Sequence, residues 1–297
     1  MQDYVAKAMA LSGQVRIYAA VTTNTIEKAR TIHGLNPTPT VALGRTLTGV
    51  ALMSQTLKGE NDTITVHIKG DGPIGSIVAV TDSKAGVRGY VHNPLIDLPL
   101  NENGKFDVKG VVGKGQLNVI KDMGLKEPYI GSIELVSGEI AEDLTYYYAY
   151  SEQTPTAINL GVLIDPNGKV VAAGGYFLQL LPDASEDTIE KVEKAISGLL
   201  PITTLISQGK TPEDLINMLF PDDNVEFFDS CPVSYKCTCS RERMERNLLS
   251  IGKKDLEELS QEKDGVELVC HFCNNKYHFS QQDMLNLLKI SEEQEDQ

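Results

Sequence analysis

The sequence predicts an α+β fold: a sheet-rich N-terminal core domain with packed helices, a helical linker, and a small C-terminal domain built around cysteines. Three observations carry this. Strand-like segments come in long runs, without the regular alternation with helices that a parallel α/β sheet requires. At Pro182 the pattern changes to short amphipathic helices in series. Near the C-terminus, two close cysteine pairs stand in a chain with one further cysteine. The boundaries read this way are 1–181 for the core, 182–229 for the linker and 230–297 for the cysteine-bearing domain.

In the core, residues 14–21 alternate and are β-branched enough for a strand. Asn24 is placed to cap a helix through Ile32, which Gly34 and Pro37 end. Residues 40–57 carry Val41, Leu43, Leu47, Val50, Ala51 and Leu57 on a broad apolar face, which predicts a helix despite Gly44 and Gly49, at about 1 kcal/mol each against alanine. Small residues at that spacing let another backbone approach closely, which reads as packing and not as function. The period then becomes two, predicting strands at 63–69, 76–80, 87–92, 108–112, 115–121 and 129–136. Asp71-Gly72-Pro73 and residues 83–86 are turns between them, and Asn103-Gly104 is a hairpin-like turn. Residues 137–140 open a helix to about Tyr150 with Leu144, Tyr147 and Tyr148 on one side. Strands at 157–164 and 170–177 flank the turn Asp165-Pro166-Asn167-Gly168.

In the linker, Ser185 caps a helix whose apolar residues Ile189, Val192, Ile196 and Leu199 step by three and four. A short helix with Ile202, Leu205 and Ile206 follows Pro201. Thr211, Pro212, Glu213 and Asp214 open a third, carrying Leu215, Ile216, Leu219 and Phe220. Three short helices cannot bury these faces on one another, so they need a surface, and the neighbouring sheet is the obvious one. In the last segment, Ser240 caps a helix over 241–251, and 253–259 is a further helix. Strands at 266–269 and 277–279 enclose the second cysteine pair in a hairpin-like knuckle. Ser280-Gln281-Gln282-Asp283 is a capping box for a final helix with Leu285, Leu288 and Ile290. Residues 292–297 read as a frayed acidic tail.

Composition narrows the function. A net charge of −14 over 297 residues disfavours nucleic acid as the main partner and docking to an anionic membrane. Met1-Gln2-Asp3-Tyr4-Val5-Ala6-Lys7 has no basic segment leading into an apolar run, so no signal peptide is expected. No window reaches the roughly 18 apolar residues of a membrane span. The expected location is the cytoplasm, where thiols stay reduced and close cysteine pairs read first as metal-binding or redox-active.

Cys237-Thr238-Cys239 and Cys270-His271-Phe272-Cys273 are a C-x-C and a C-x-x-C separated by 30 residues. Four thiols so arranged can close around one tetrahedral zinc, because thiolate is a soft, strongly donating ligand and two ligands this close are nearly preformed as a chelate. The same four can pair off as two disulfides when oxidised. Lys236, Arg241 and Arg243 flank the first pair and are expected to lower its thiol pKa values. The segment is small and poor in apolar residues, so metal is expected to supply much of its folding energy. From Cys231 onward, nine Lys and Arg against thirteen Asp and Glu give a net of −4. A nucleic-acid-reading ribbon would be basic. Cys231 is either a spare ligand or resolving thiol, or a semi-buried linker cysteine. His278 is an alternative ligand for a Cys₃His site, whereas His271, between two cysteines, is expected to point away.

The run Cys231-Pro232-Val233-Ser234-Tyr235-Lys236-Cys237-Thr238-Cys239-Ser240-Arg241-Glu242-Arg243, with Cys270-His271-Phe272-Cys273-Asn274-Asn275-Lys276-Tyr277, resembles the bacterial redox-regulated heat-shock chaperones of about 33 kDa. Gly44-Arg45, Lys69-Gly70-Asp71-Gly72-Pro73, Arg88-Gly89-Tyr90, Gly174-Gly175-Tyr176 and Gln179-Leu180-Leu181-Pro182 extend the resemblance along the whole chain. It implies an ATP-independent holdase, inactive when reduced, with one zinc per chain on Cys237, Cys239, Cys270 and Cys273. Oxidation then converts each close pair, Cys237–Cys239 and Cys270–Cys273, to a disulfide and releases zinc. The metal domain unfolds, the linker loosens, and apolar surface meets unfolding client proteins; active members are typically homodimers. Cys231 is outside the family's ligand set.

Other classes fare worse. No phosphate-binding G-x-x-x-x-G-K-[ST] loop exists, and Gly113-Lys114-Gly115 reads as a strand turn. His33, His67 and His92 are scattered and read as surface or core histidines, so no enzyme site assembles. Four thiolates also close a zinc shell that catalysis would need open. The alternative function is a zinc-dependent regulatory or adaptor protein.

Overall fold

A computed structural model describes residues 2–295, and the fold is α+β. Its centre is a helix, α2 (Pro37–Met53), in which every residue except Pro37 and Arg45 is buried. A helix apolar all round belongs inside a core, and α2 lies between two sheets. Its threonine hydroxyls are satisfied within that core: Thr40 Oγ1 donates to Asn36 O at 2.8 Å, Thr46 Oγ1 to Ala42 O at 2.9 Å, and Thr48 Oγ1 shares a 2.8 Å bond with Thr22. The two glycines are packing positions, but side chains and not the expected backbone come against them. A Cβ on Gly44 would lie 2.7 Å from Ile26 and 2.8 Å from Val162, and one on Gly49 would lie 2.8 Å from Leu144.

The first sheet runs β10-β1-β2-β9-β8 and is antiparallel throughout: β1 (Tyr4–Ala10), β2 (Val15–Val21), β8 (Thr156–Ile164), β9 (Val170–Leu180) and β10 (Glu226–Pro232). The second runs β11-β5-β4-β3-β6-β7, with β3 (Thr63–Gly70), β4 (Ser76–Asp82), β5 (Gly86–Val91), β6 (Gly115–Asp122), β7 (Tyr129–Glu134) and the two-residue β11 (Ser234–Tyr235), which joins β5 in parallel. Two further helices complete the core, α1 (Thr23–His33) and α4 (Ala141–Tyr150).

Four local expectations are corrected. Strand β1 was not expected. Residues 108–112 form a helix, α3 (Val108–Val112), instead of a strand: the Asp107 carboxylate accepts from Gly110 N at 2.8 Å, and the cap outweighs the β-branched composition. Asn24 does not cap α1. The buried carboxylate of Asp3, the residue just before β1, accepts from the N–H groups of Asn24 and Thr25. Asn103-Gly104 lies in a turn closed by Asn101 N donating to Lys105 O, but this turn joins no two strands.

Both faces of the first sheet are buried. Val5, Tyr18, Ala20, Ala173 and Phe177 face α2, while Ala6, Ala8, Ala10, Ile17, Ala19, Ala172, Tyr176 and Leu178 face the other way. Three helices cover that outer face: α5 (Glu186–Gly198), α6 (Ile202–Ser207) and α7 (Pro212–Leu219). They bury Val192, Ile202, Leu205, Ile206, Leu215, Ile216, Leu219 and Phe220, whereas Ile189, expected on the apolar face of α5, is exposed. Alanines floor the contact, and two glycines let α6 come closer still. A Cβ on Gly161 would meet Thr203 and Ile202 at 2.6 and 2.7 Å, and one on Gly174 would meet Ile206 at 2.5 Å. Polar contacts pin the edges: Tyr4 Oη donates to Glu213, Leu11 N donates to Asp223, and Gln14 Oε1 accepts from Ser185 N and Thr188 Oγ1 at 2.8 and 2.9 Å. Burial, with the Glu213 carboxylate beside it, pushes the Tyr4 phenol up to about 12.

After α7 the chain returns to the core. β10 pairs with β1 in the first sheet and β11 with β5 in the second. Val233 and Tyr235 are buried, and Tyr235 Oη donates to Gly89 O at 2.8 Å, with His33 Nε2 at 2.9 Å from the same hydroxyl. The chain divides into two compact units after Lys236. The second unit contains α8 (Arg241–Leu249), α9 (Lys253–Ser260), the hairpin β12 (Val266–Val269) and β13 (Lys276–Phe279), and α10 (Gln281–Glu295). The expected capping box is present: Ser280 N donates to Asp283 Oδ2 at 2.9 Å and Asp283 N to Ser280 Oγ at 3.2 Å. Among the described side chains of α10, Met284 and Leu287 are buried and Leu288 packs against them, while Leu285 and Ile290 are exposed. Of the tail expected to fray, 292–295 lie in α10 and 296–297 lie outside the described residues.

Gly161 is the lever on the α6 contact, because the atoms its Cβ would meet belong to the first two residues of α6. Gly161→Ala should lift α6 without breaking a sheet hydrogen bond, costing about 1–3 kcal/mol. Amide hydrogen exchange should then rise in α6 and α7 while α2 stays protected; unchanged exchange in α6 would show that the notch does not control docking.

Candidate metal centre

The hairpin β12–β13 presents the second cysteine pair through a tight knuckle. Cys270 N donates to Asn275 O at 2.9 Å, while Cys270 O accepts from Cys273 N and Asn274 N at 3.2 and 2.8 Å. Asn274 takes the left-handed conformation (φ 57°) that closes this turn, one that asparagine adopts more easily than most residues. The first pair lies in the extended stretch before α8, which Ser240 caps by accepting from Arg243 N at 3.3 Å. Beneath the cysteines is a small core of Met244, Leu248, Leu256, Phe279, Met284 and Leu287, which the sulfur-bearing side chains also join.

The four Sγ atoms of Cys237, Cys239, Cys270 and Cys273 all lie within 4.8 Å of one another. The 3.7 Å approach of Cys237 to Cys270 and the 3.4 Å approach of Cys239 to Cys273 run between the pairs. Zinc–sulfur bonds of about 2.3 Å in a tetrahedron put sulfurs roughly 3.8 Å apart, so these contacts are close to tetrahedral edges. All five cysteines are free thiols. The donor set is therefore soft, convergent and four-coordinate, which fits a structural thiophilic metal.

The electrostatics differ from the expectation that flanking basic residues set them. Arg241 stacks its guanidinium 4.3 Å from the Phe279 ring centre and bonds His278 O at 2.8 Å and Asp283 at 3.0 Å, tying α8 to β13 and α10. Arg243 donates to Thr238 Oγ1 at 3.2 Å. Burial opposes ionisation of Cys239, but hydrogen bonds from the Tyr277 phenol, at 3.0 Å, and from the other three thiols bring it down to about 7. Burial pushes Cys237 and Cys273 up.

The other candidates lie elsewhere. Cys231 sits in β10 opposite Val5, in the first compact unit. His271 and His278 are outside the sulfur cluster, and His278 Nε2 lies 3.0 Å from Asp264 O. In the first unit, His33 contacts Tyr235, His67 lies in β3 and His92 is exposed; Gly113 packs against Asp71 and Gly72 in a turn. Tyr277 was missed from the sequence. The alternation of Lys276-Tyr277-His278-Phe279 places it on the inner face with Phe279, and that was the signal available.

Comparison with known proteins bears on this site. A family model described as Hsp33 protein matches residues 3–280. The chain belongs to the Hsp33 family. It is 56% identical over 294 residues to a 33 kDa chaperonin of Acetivibrio thermocellus, covering 99% of both chains. It is 55% identical to the 33 kDa chaperonin of Ruminiclostridium cellulolyticum, covering 97% of this chain and 99% of that one. The crystal structure of the 33 kDa chaperonin (heat shock protein 33 homolog) of Thermotoga maritima superposes with a TM-score of 0.90 at 40% identity, covering 99% of this chain and 100% of the other. These relatives are named as chaperonins, not as enzymes.

Replacement of one sulfur separates ligands from neighbours. Cys237→Ser or Cys273→Ser in the full chain should clearly lower the zinc content of reduced protein, because each removes one of four thiolate donors. Cys231→Ser and His278→Ala should retain full zinc. Metal analysis with free-thiol counting reads both outcomes, and zinc retained in Cys237→Ser would remove that residue from the ligand set.

Proposed function

We propose that this Hsp33-family chain is an ATP-independent holdase that is silent when reduced and zinc-bound and is switched on by oxidation. The observation that carries the reading is the convergence of four free thiols over a small apolar core, in a chain whose linker helices hide an apolar sheet face. Cys237, Cys239, Cys270 and Cys273 would hold one zinc, which would crosslink the start of the second unit to its β12–β13 hairpin. Seven buried residues make a weak core on their own, so much of the unit's stability would come from metal–ligand bonding.

Oxidation removes the donors. Each close pair, Cys237–Cys239 and Cys270–Cys273, held as two thiolates, would give up two electrons and form one S–S bond, while a peroxide or hypochlorite oxidant takes up the electrons and is protonated from solvent. Disulfide sulfur no longer binds a cation well, and the second unit loses its crosslink. The strand segment that leads into Cys237 is continuous with the C-terminal end of the linker, so loss of order in the second unit would be felt along it and would favour undocking of α5–α7. The face of Ala6, Ile17, Ala172, Tyr176 and Leu178 and the apolar sides of the helices would then meet unfolding client proteins. Exposed apolar surface of this kind favours pairing, and a homodimer is the proposed active form. The proposed site of action is the cytoplasm, with neither nucleic acid nor membrane as partner. Among the described residues no helix is long and apolar enough to cross a membrane.

Light scattering from a thermally aggregating client tests the switch. Reduced, zinc-loaded protein should leave aggregation unchanged, and peroxide-treated, zinc-free protein should suppress it at near-stoichiometric ratio without ATP. Equal activity in both states would sink the redox switch.

A further inference from the structure

β11 is only two residues long, and a side chain completes its hold on β5. Ser234 N donates to Ala85 O at 3.5 Å and Lys236 N to Val87 O at 2.8 Å. Outward-facing backbone groups recur every second residue along a strand edge, so the next pair on β5 belongs to Gly89. There the Tyr235 hydroxyl takes the place of a further strand residue. It donates to Gly89 O at 2.8 Å and accepts from Gly89 N at 3.3 Å. Its one hydrogen is thereby spent, so His33 Nε2, at 2.9 Å, donates to it. Lys28 Nζ donates to Tyr235 O at 3.1 Å, and Val233 N donates to Asp3 O at 3.0 Å. The stretch 233–236 is thus tied to α1, to β5 and to the residue before β1, and Tyr235 is buried. β10, next upstream, is exposed at every residue except Cys231, and its register on β1 shifts between Val5 and Lys7. Between the linker and the first thiol, the firm hold is β11.

We infer that Tyr235 is a positioning residue that sets how much of the disorder of a metal-free second unit reaches the linker helices. The inference rests on reading the four cysteines as a zinc centre whose opening loosens the linker. Cys237 follows Tyr235 by two residues, and the chain runs back from β11 through β10 to α7. While the second unit is ordered, the chain on both sides of β11 is fixed, and an opening of β11 stays local. Once that unit is disordered, β11 is the last ordered stretch before the cluster, and its opening frees a longer run of chain toward the linker. Opening strips two buried backbone groups of Gly89 of their partner, a cost that the hydroxyl imposes and the ring alone does not.

The test uses the full chain, reduced, either loaded with zinc or stripped of it by a chelator, and reads amide hydrogen exchange. Tyr235→Phe keeps the buried ring and removes the hydroxyl. Its zinc content should match that of the unaltered chain. Exchange in 233–236 should rise in both metal states, because β11 itself is weakened. Exchange in α5–α7 should rise about tenfold in the stripped protein alone, the change expected when buried backbone groups lose their partner. A merely structural role would speed exchange in β11 and leave α5–α7 unmoved. His33→Ala retains Tyr235 and removes one bond to its hydroxyl, so it should give a smaller rise in the same helices even where Tyr235→Phe folds poorly. No rise in α5–α7 with either variant, or an equal rise in the loaded protein, overturns the role of Tyr235 and leaves the redox switch standing. An unaltered chain that takes up no zinc overturns the zinc reading, and this inference with it.

Discussion

Both faces of the first sheet are apolar, so neither can be left to water. The inner face is covered by α2, whose near-complete burial ties that contact to the second sheet as well. The outer face is covered only by short helices, and the contact there is shallow: alanines from β1, β2 and β9, two glycine notches under α6, and a few polar pins at the edges. Close approach of small residues gives dispersion contact at little cost in side-chain entropy. It also buries less apolar area per residue than interlocked large side chains would. The cover is therefore well fitted, and weaker than the core beneath it.

The second unit answers a different constraint. A segment this short cannot build a large core, and its buried set is confined to a few residues from α8, α9, β13 and α10 around the sulfurs. Capping and ion pairing organise its surface, with Arg241 joining three elements, but exposed ion pairs contribute little stability. Four converging thiols are the remaining source of order. The two compact units thus have separate cores, and loss of one does not require loss of the other.

Much of this was legible in the sequence, and the failures share a cause. The amphipathic linker, the β3–β4–β5 run, the knuckle and its cap follow from local pattern, where period and turn chemistry agree. Strand β1 escaped because Tyr4–Ala10 is alanine-rich and lacks β-branched residues after Val5; its strand state comes from pairing with β2 across a short turn and with β10, which is distant in sequence. Residues 108–112 misled in the opposite direction, since three valines read as strand while one Asp107 side chain decides for helix. Asp3 capping α1 from another element has no local signature at all. At the cysteines the cluster itself was legible from spacing, but the source of its electrostatics was not: sequence neighbours Arg241 and Arg243 turn to other partners, and Tyr277 reaches Cys239 only through hairpin register.

That separation of cores gives the segment before Cys237 a particular mechanical place. It contributes β10 to the first sheet and β11 to the second, and the buried Tyr235 hydroxyl is bonded to the backbone of Gly89 two residues before the first thiol of the cluster. Disorder spreading back from a metal-free second unit would meet this anchored stretch before reaching the linker. A buried hydroxyl with its partners in place resists that spread, because withdrawing it leaves the Gly89 groups unpaired, at about 1–3 kcal/mol. The linker itself is fixed at both ends, by β9 before it and β10 after it. Undocking then bares the outer sheet face without freeing the chain that flanks it. On the proposed mechanism, the sheet can present client surface while its own strand order is preserved, and the helices can return to an unchanged seat when the thiols are reduced again.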